Sequence, residues 1–178
     1  MGLAGTTPTP AKFRNMFDIQ LFGRIEVRTR GVVLAGTDFG GDHPRHILAL
    51  LALRGEMSTS ELAGLLGEKK NNVESDMSVL RDRLDPEAGP DDSVVRRAGG
   101  RWSLDPDRVR VDVDRFDELV AAAAGRPADR AVKPLTAAAF VAARPLLEDE
   151  NEPWAAEARA EYSAKFTTAR LEDVTRIN

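Results

Sequence analysis

Five arginines crowd one short stretch. Arg96, Arg97, Arg101, Arg108 and Arg110 fall between Ser93 and Arg110, opposed there only by Asp105 and Asp107. Such a local positive excess suits a polyanion backbone, because each neutralised phosphate releases counterions and makes affinity salt-dependent. The ordinary reading is a charged hairpin edge that keeps one sheet from pairing with another. Upstream, Asn72, Ser75 and Arg83 stand in a helical run. Asparagine pairs with adenine and arginine with guanine through two hydrogen bonds, and serine reaches a base or a phosphate. Lys69 and Lys70 sit just before that run, where they can touch phosphate at a helix start. Against this, Asp76 accepts only from cytosine and repels phosphate. Leu66 to Pro86 holds four basic residues (Lys69, Lys70, Arg81, Arg83) and five acidic ones (Glu68, Glu74, Asp76, Asp82, Asp85). A solvated helix with internal charge pairs, binding nothing, has the same composition.

Other chemistries find less support. His43 and His46, with Asp42, are spaced to share a metal, yet no third strong ligand lies nearby in sequence. Contacts at a helix start are the expectation, and no metal or other cofactor. Cysteine is absent, which excludes disulfides, thiolate zinc sites and a Cys nucleophile. There is no Gly-rich phosphate loop, nucleophile elbow or spaced carboxylate pair, so an enzyme is not expected.

The elements that must position these residues follow from periodicity. Met1 to Ala11, rich in Gly, Thr and Pro, reads as part of a disordered tail over 1–15. Phe17 to Leu21, Ile25 to Arg28 and Val32 to Leu34 alternate or cluster as strands of a small antiparallel sheet. Pro44 opens a helix carrying Ile47, Leu48, Leu50, Leu51 and Leu53. Ser58-Thr59-Ser60-Glu61 is a capping box for a second helix that stops at Gly67. A third runs from about Asn71 to Leu84 with Val73, Met77, Leu80 and Leu84 turned inward, which leaves Asn72, Ser75, Asp76, Val79 and Arg83 outward. Val94 to Arg97 and Arg101 to Leu104 then flank Gly99-Gly100 as a hairpin, with Trp102 packing it onto the core. Sheet, three helices and hairpin, in that order, predict a winged helix-turn-helix over 16–104.

Asp105 to Val111 reads as a short polar connector, and 112–178 as helical. Asp114 can cap the first of these helices and Pro134 open the second. A long third, from Glu152 to about Val174, carries Trp154, Tyr162 and Phe166, expected to pack within helical repeats. The fold class expected is therefore α+β: a winged helix followed by an all-α domain.

This order resembles the actinobacterial antibiotic-regulatory transcription factors, in which an OmpR-type winged helix precedes a tetratricopeptide-like bacterial transcriptional activator domain. The resemblance covers roughly residues 16–175. It rests on Leu21-Phe22-Gly23-Arg24-Ile25-Glu26-Val27, the Leu-rich first helix, the capped second helix, Met77 to Leu84, and Val111-Asp112-Val113-Asp114-Arg115-Phe116-Asp117. Trp154, Arg159 and Tyr162 match the third activator-domain helix. Three departures stand out. Glu74, Asp76 and Val79 occupy a recognition helix usually basic or amide-rich, Arg101-Trp102-Ser103-Leu104 replaces Gly-Tyr-x-Leu, and about three activator-domain helices precede Asn178 where the family has several more.

The resemblance implies a transcriptional regulator of double-stranded DNA, dimeric on direct repeats. Lys69, Lys70, Asn72, Ser75, Val79, Arg83, Arg96, Arg97 and Arg101 are the candidate contacts, and Lys69 and Lys70 alternatively face RNA polymerase. An aromatic stripe on the last helix is expected to be covered either by dimerisation or by further chain beyond Asn178. The competing reading is a degenerate winged helix serving as a protein-interaction scaffold, favoured by Asp76 and Val79.

Net charge is −4. Residues 1–104 hold 14 basic and 14 acidic side chains, so DNA binding has to rest on local patches. No apolar run has the roughly 18–20 residues of a membrane span, and no secretory signal opens the chain. A cytoplasmic protein without a membrane partner is expected.

Overall fold

The computed structural model describes residues 15–175, so the expected tail lies outside the described residues apart from Asn15. The fold is α+β. Strands β1 (Phe17–Gln20), β2 (Glu26–Thr29) and β3 (Val32–Ala35) form an antiparallel meander. Their alternation buries Phe17, Ile19 and Val27 and leaves Asp18 and Arg28 in water. Arg30 and Gly31 join β2 to β3 with φ of 51° and 76°, the mirror-image turn whose twist matches paired strands.

Helix α1 (Asp42–Arg54) follows a short 3-10 turn at Gly36–Phe39 and is the most buried element, with Ile47, Leu48, Ala49 and Leu50 fully covered. Strand β4 (Met57–Ser58) leads into α2 (Thr59–Leu66). The capping box forms as the sequence predicts: Ser58 Oγ accepts from the Glu61 amide at 3.1 Å, and Glu61 accepts from the Ser58 amide at 2.7 Å. Helix α3 (Lys70–Leu84) buries Val73, Met77, Leu80 and Leu84, each contributing about 1.5–3 kcal/mol of transfer free energy. Strands β5 (Val95–Ala98) and β6 (Arg101–Leu104) make the wing, and β4 pairs with β6 to give the order β4-β6-β5.

The stretch 105–111, expected to be a polar connector, instead carries a strand. Residues Val109–Val111 form β7, which pairs in parallel with β1 (Phe17 with Val109, Ile19 with Val111), so the four-stranded sheet is mixed, in the order β3-β2-β1-β7. Arg108 secures the return. Its buried guanidinium donates to Asp85 Oδ2 at 2.9 Å, to the Asp92 carbonyl and to the Asn15 carbonyl.

Helices α4 (Asp112–Ala123), α5 (Ala128–Val141) and α6 (Pro153–Thr175) complete the chain. Helix α4 starts at Asp112, two residues before the expected cap, and the Asp112 carboxylate accepts from the amides of Leu21 and Phe22 at 2.9–3.0 Å. Pro134 lies inside α5 rather than opening it. Buried Ala131 on one side and Leu135 and Ala138 on the other hold the helix across the missing N–H.

The two halves share one core. Phe22, beyond β1, packs on Phe116 of α4 at 5.4 Å and on Tyr162 of α6 at 6.0 Å, and Phe116 meets Phe166 at 6.0 Å. The aromatic stripe of α6, expected to need a dimer partner or further chain, is covered by the described residues themselves: Trp154 and Tyr162 are buried and Phe166 is half-buried. Among the described residues no helix is long and apolar enough to cross a membrane.

Candidate nucleic-acid interface

The buried stripe of α3 divides its remaining surface into three strips. One flank faces the wing and carries Glu74 and Arg81. The other faces the 3-10 turn and the start of α1, and carries Asp76, Val79 and Arg83. The ridge opposite the core is Asn71, Ser75, Ser78 and Asp82, all exposed, and Asn72 is exposed at the start of the second flank.

The wing flank is tightly tied. Arg81 donates twice to the Val95 carbonyl, at 3.0 and 3.2 Å. Arg97 makes a two-point pair with Glu74 at 2.9 and 3.0 Å. Both guanidiniums lie over the Trp102 ring, at 5.0 and 4.7 Å, and the indole N–H donates to Thr59 Oγ1 at 3.0 Å. Trp102 is buried, as expected, and it locks wing, α2 and α3 together.

On the opposite flank Val79 is half-buried against the backbone of Gly40. A Cβ placed on Gly40 would come within 2.4 Å of Val79 Cγ1. Val79 is therefore a packing residue with little left to offer a ligand. Arg83 remains exposed and donates weakly to the Asp38 carbonyl at 3.4 Å. Asp76 does not project outward either; it is turned toward Glu68 and His43. Burial, and then the neighbouring Glu68 carboxylate, push its pKa up to about 6, partly offset by His43.

The arginine cluster does not act as one patch. Arg108 is consumed by Asp85, and Arg110 sits on β7 in the other sheet. The three that remain on the wing are each paired within the chain: Arg96 with buried Asp105 at 3.0 Å, Arg97 with Glu74, and Arg101 with Glu56 at 2.8 Å and Glu61 at 3.2 Å. Their side chains are nonetheless 47%, 45% and 40% exposed, so all three remain reachable from solvent. Lys69 and Lys70 are exposed at the start of α3.

Lys69, Lys70, Asn72, Ser75 and Arg83 are thus exposed along α3 and Val79 is withdrawn, while on the wing Arg97 shares the Trp102 face and Arg96 and Arg101 lie on the opposite face of the hairpin. The sequence reading missed Asn71 and Ser78. The signal was available: a wheel centred on Val73, Met77, Leu80 and Leu84 puts its opposite pole at Asn71, Ser75, Ser78 and Asp82. Ser75 and Ser78 currently donate to the carbonyls of Asn71 and Glu74 at 3.2 and 3.3 Å, bonds that rotate away easily when a better acceptor arrives.

The two histidines diverge. His43 lies with Glu68 and Asp76, whereas His46 is buried, its Nε2 2.7 Å from Glu150 Oε2. Arg45 binds the same Glu150 at 2.7 and 3.2 Å. Burial alone would raise the Glu150 pKa, but hydrogen bonds from His46 and Arg45 outweigh it and hold the group at about 2.

No family model matches the chain. No curated protein matches it either. Among solved structures it is similar to Mycobacterium tuberculosis EmbR, solved in complex with a low-affinity phosphopeptide. The TM-score is 0.69 at 22% identity, over 88% of this chain and 44% of that one. At this identity the likeness carries the fold, and this chain spans less than half the length of that protein.

Proposed function

We propose that this chain is a DNA-binding transcriptional regulator of the antibiotic-regulatory type. The ridge of α3 would enter the major groove and the wing would hold the backbone. The observation that carries this reading is the disposition of the carboxylates on α3. Glu74 is turned into a pair with Arg97 and Asp76 toward Glu68 and His43, so the ridge is an amide and hydroxyl surface with one acidic residue, Asp82. Asn71, Asn72, Ser75 and Ser78 would read base edges. Lys69, Lys70, Arg96, Arg97 and Arg101 would meet phosphates, and Arg83 would lie at the groove edge.

The wing pairs do not oppose this. Exposed ion pairs contribute about 0–1 kcal/mol, so exchanging Glu56, Glu61 or Glu74 for a phosphate is close to neutral before counterion release is added. Binding to direct repeats as a dimer belongs to the same proposal, and α5 offers an apolar contact in Phe140, which is 84% exposed.

The test is fluorescence anisotropy with duplex DNA from the region upstream of the protein's own gene, at low and moderate salt. Saturable binding that weakens with salt, and that Asn72→Ala and Ser75→Ala make less selective, is expected. No binding to any duplex at low salt refutes the proposal.

One observation favours a second reading, a protein-interaction scaffold. Every wing arginine is already matched to a carboxylate of the same chain. Under that reading Glu56→Gln with Glu61→Gln would be needed to create any DNA affinity, whereas under the first these changes strengthen binding already present.

A further inference from the structure

Three side chains from three separate elements converge on the flank of α3 away from the wing. His43 comes from the first turn of α1, Glu68 from the turn between α2 and α3, and Asp76 from α3 itself. His43 Nδ1 lies 2.6 Å from Glu68 Oε1 and 3.8 Å from Asp76 Oδ2, and one ligand atom of each residue lies within 4.8 Å of the others. Two further facts concern the oxygens. Glu68 Oε2 and Asp76 Oδ2 are both shut off from water and have no hydrogen-bond partner. A buried carboxylate oxygen without a donor is costly, and here two such oxygens belong to one cluster with His43. A single proton shared by the carboxylates, the state reflected in the raised pKa of Asp76, satisfies only part of that deficit.

We propose that His43, Glu68 and Asp76 form a three-ligand site for a divalent transition-metal cation of the Zn2+ or Co2+ kind, with solvent or a further ligand completing the shell. The donor set selects the ion. One imidazole nitrogen and two carboxylate oxygens suit Zn2+ or Co2+, whereas Mg2+ and Ca2+ ask for more oxygens and no imidazole. To reach the roughly 3.4 Å edge of a tetrahedron with bonds of about 2.1 Å, the His43–Glu68 pair has to open from 2.6 Å and the His43–Asp76 pair to close from 3.8 Å. Side-chain rotation supplies this, since all three residues reach in from the surface: His43 is 40% exposed and Asp76 22%. A double positive charge cancels two carboxylates and gives both orphaned oxygens a partner. The bound ion would tie the start of α1 and the α2–α3 turn to α3. The site stands or falls independently of DNA binding.

The experiment uses the full chain stripped with a chelator and then titrated with Co2+ and, separately, Zn2+. One equivalent of Co2+ should give the visible absorption of a low-coordinate site. Zn2+ at about a hundred times its Kd should raise the thermal midpoint by about 5–10 °C. Asp76→Asn and His43→Ala should each abolish both signals, while Asp82→Asn, on the exposed ridge of the same helix, leaves them intact. Asp76→Asn is the decisive variant, because its neutral amide removes a like-charge contact and the fold should hold. No cobalt absorption and no zinc shift in the wild-type chain overturns the proposal, and so does a response that survives Asp76→Asn and His43→Ala.

Discussion

Arg97 and Glu74 close the gap between the wing and α3 with two hydrogen bonds of 2.9 and 3.0 Å, and the same guanidinium stacks 4.7 Å over Trp102. The pair neutralises a carboxylate that the sequence alone would set against a phosphate backbone. Both partners are substantially exposed, at 45% and 38%, so the pair contributes little stability, about 0–1 kcal/mol. Glu74→Gln should therefore leave the thermal midpoint nearly unchanged while releasing Arg97 for phosphate. DNA affinity measured by anisotropy at low salt should rise several-fold; unchanged affinity would separate Arg97 from the contact surface.

The wing arginines have a second signature in salt. Arg96→Ala with Arg97→Ala removes two candidate phosphate contacts, each worth about 0.9 in the slope of log K against log salt. The double variant should bind more weakly and with a slope shallower by about 1–2. Because Arg96 anchors on buried Asp105, far-UV circular dichroism must show the hairpin intact in the same sample.

Local features of this fold were legible in the sequence and long-range ones were not. Ser58 and Glu61 announce a helix start because both partners lie within one turn, and the α3 stripe is visible because its period is local. Strand β7 was hidden: it is three residues long and its partner β1 lies some ninety residues earlier, so neither length nor alternation marks it. The site failed to show for the same reason. Glu56, Glu61 and Glu74 reach the wing arginines across stretches of 23 to 45 residues, and composition counts them without saying which charges meet. His43 and His46, three apart, look like a pair until Glu150 arrives from a segment 104 residues away and takes one of them.

Asp76 gives a pH dependence of unusual sign. Its folded pKa of about 6 lies above the ordinary 3.8, raised first by burial and then by Glu68. Its contribution to stability is therefore full below about pH 4 and is lost as pH rises through 6. In metal-free protein Asp76→Asn should be more stable than wild type at pH 7.5, by about 1–2 kcal/mol, and the difference should shrink toward pH 4. Urea midpoints at the two pH values check this; a destabilised variant at pH 7.5 would contradict it.

Gly40 and Val79 offer a steric test of the loop that faces α3. Gly40 has φ of +90°, and an added Cβ would sit 2.4 Å from Val79 Cγ1. Gly40→Ala should cost about 2–3 kcal/mol, part backbone strain and part overlap. Val79→Ala on the same chain should recover the overlap and leave the strain. A double-mutant cycle by urea denaturation should thus give a favourable coupling of about 1 kcal/mol. Strict additivity would show that Val79 does not hold the loop against the helix.

Glu150 joins the two halves of the molecule. It lies in the segment before α6, and its carboxylate receives Arg45 and His46 from α1, with Trp154 set edge-on to the imidazole at 5.3 Å. The carboxylate is 8% exposed and His46 6%, so removing the charge leaves the imidazole and the inner face of the Arg45 guanidinium, whose other ion pair is to Asp42, without an anionic partner in a dry site. Glu150→Gln, which keeps the shape, should cost on the order of 3 kcal/mol. The pH profile distinguishes this from loss of packing. The folded pKa of about 2 lies below the ordinary 4.5, because the hydrogen bonds from His46 and Arg45 outweigh burial. The stabilisation is complete above pH 4.5 and disappears as pH falls toward 2. Wild-type urea midpoints should drop between pH 5 and pH 3 while those of Glu150→Gln stay flatter, so that the two proteins converge in acid; parallel curves would assign the residue a packing role alone.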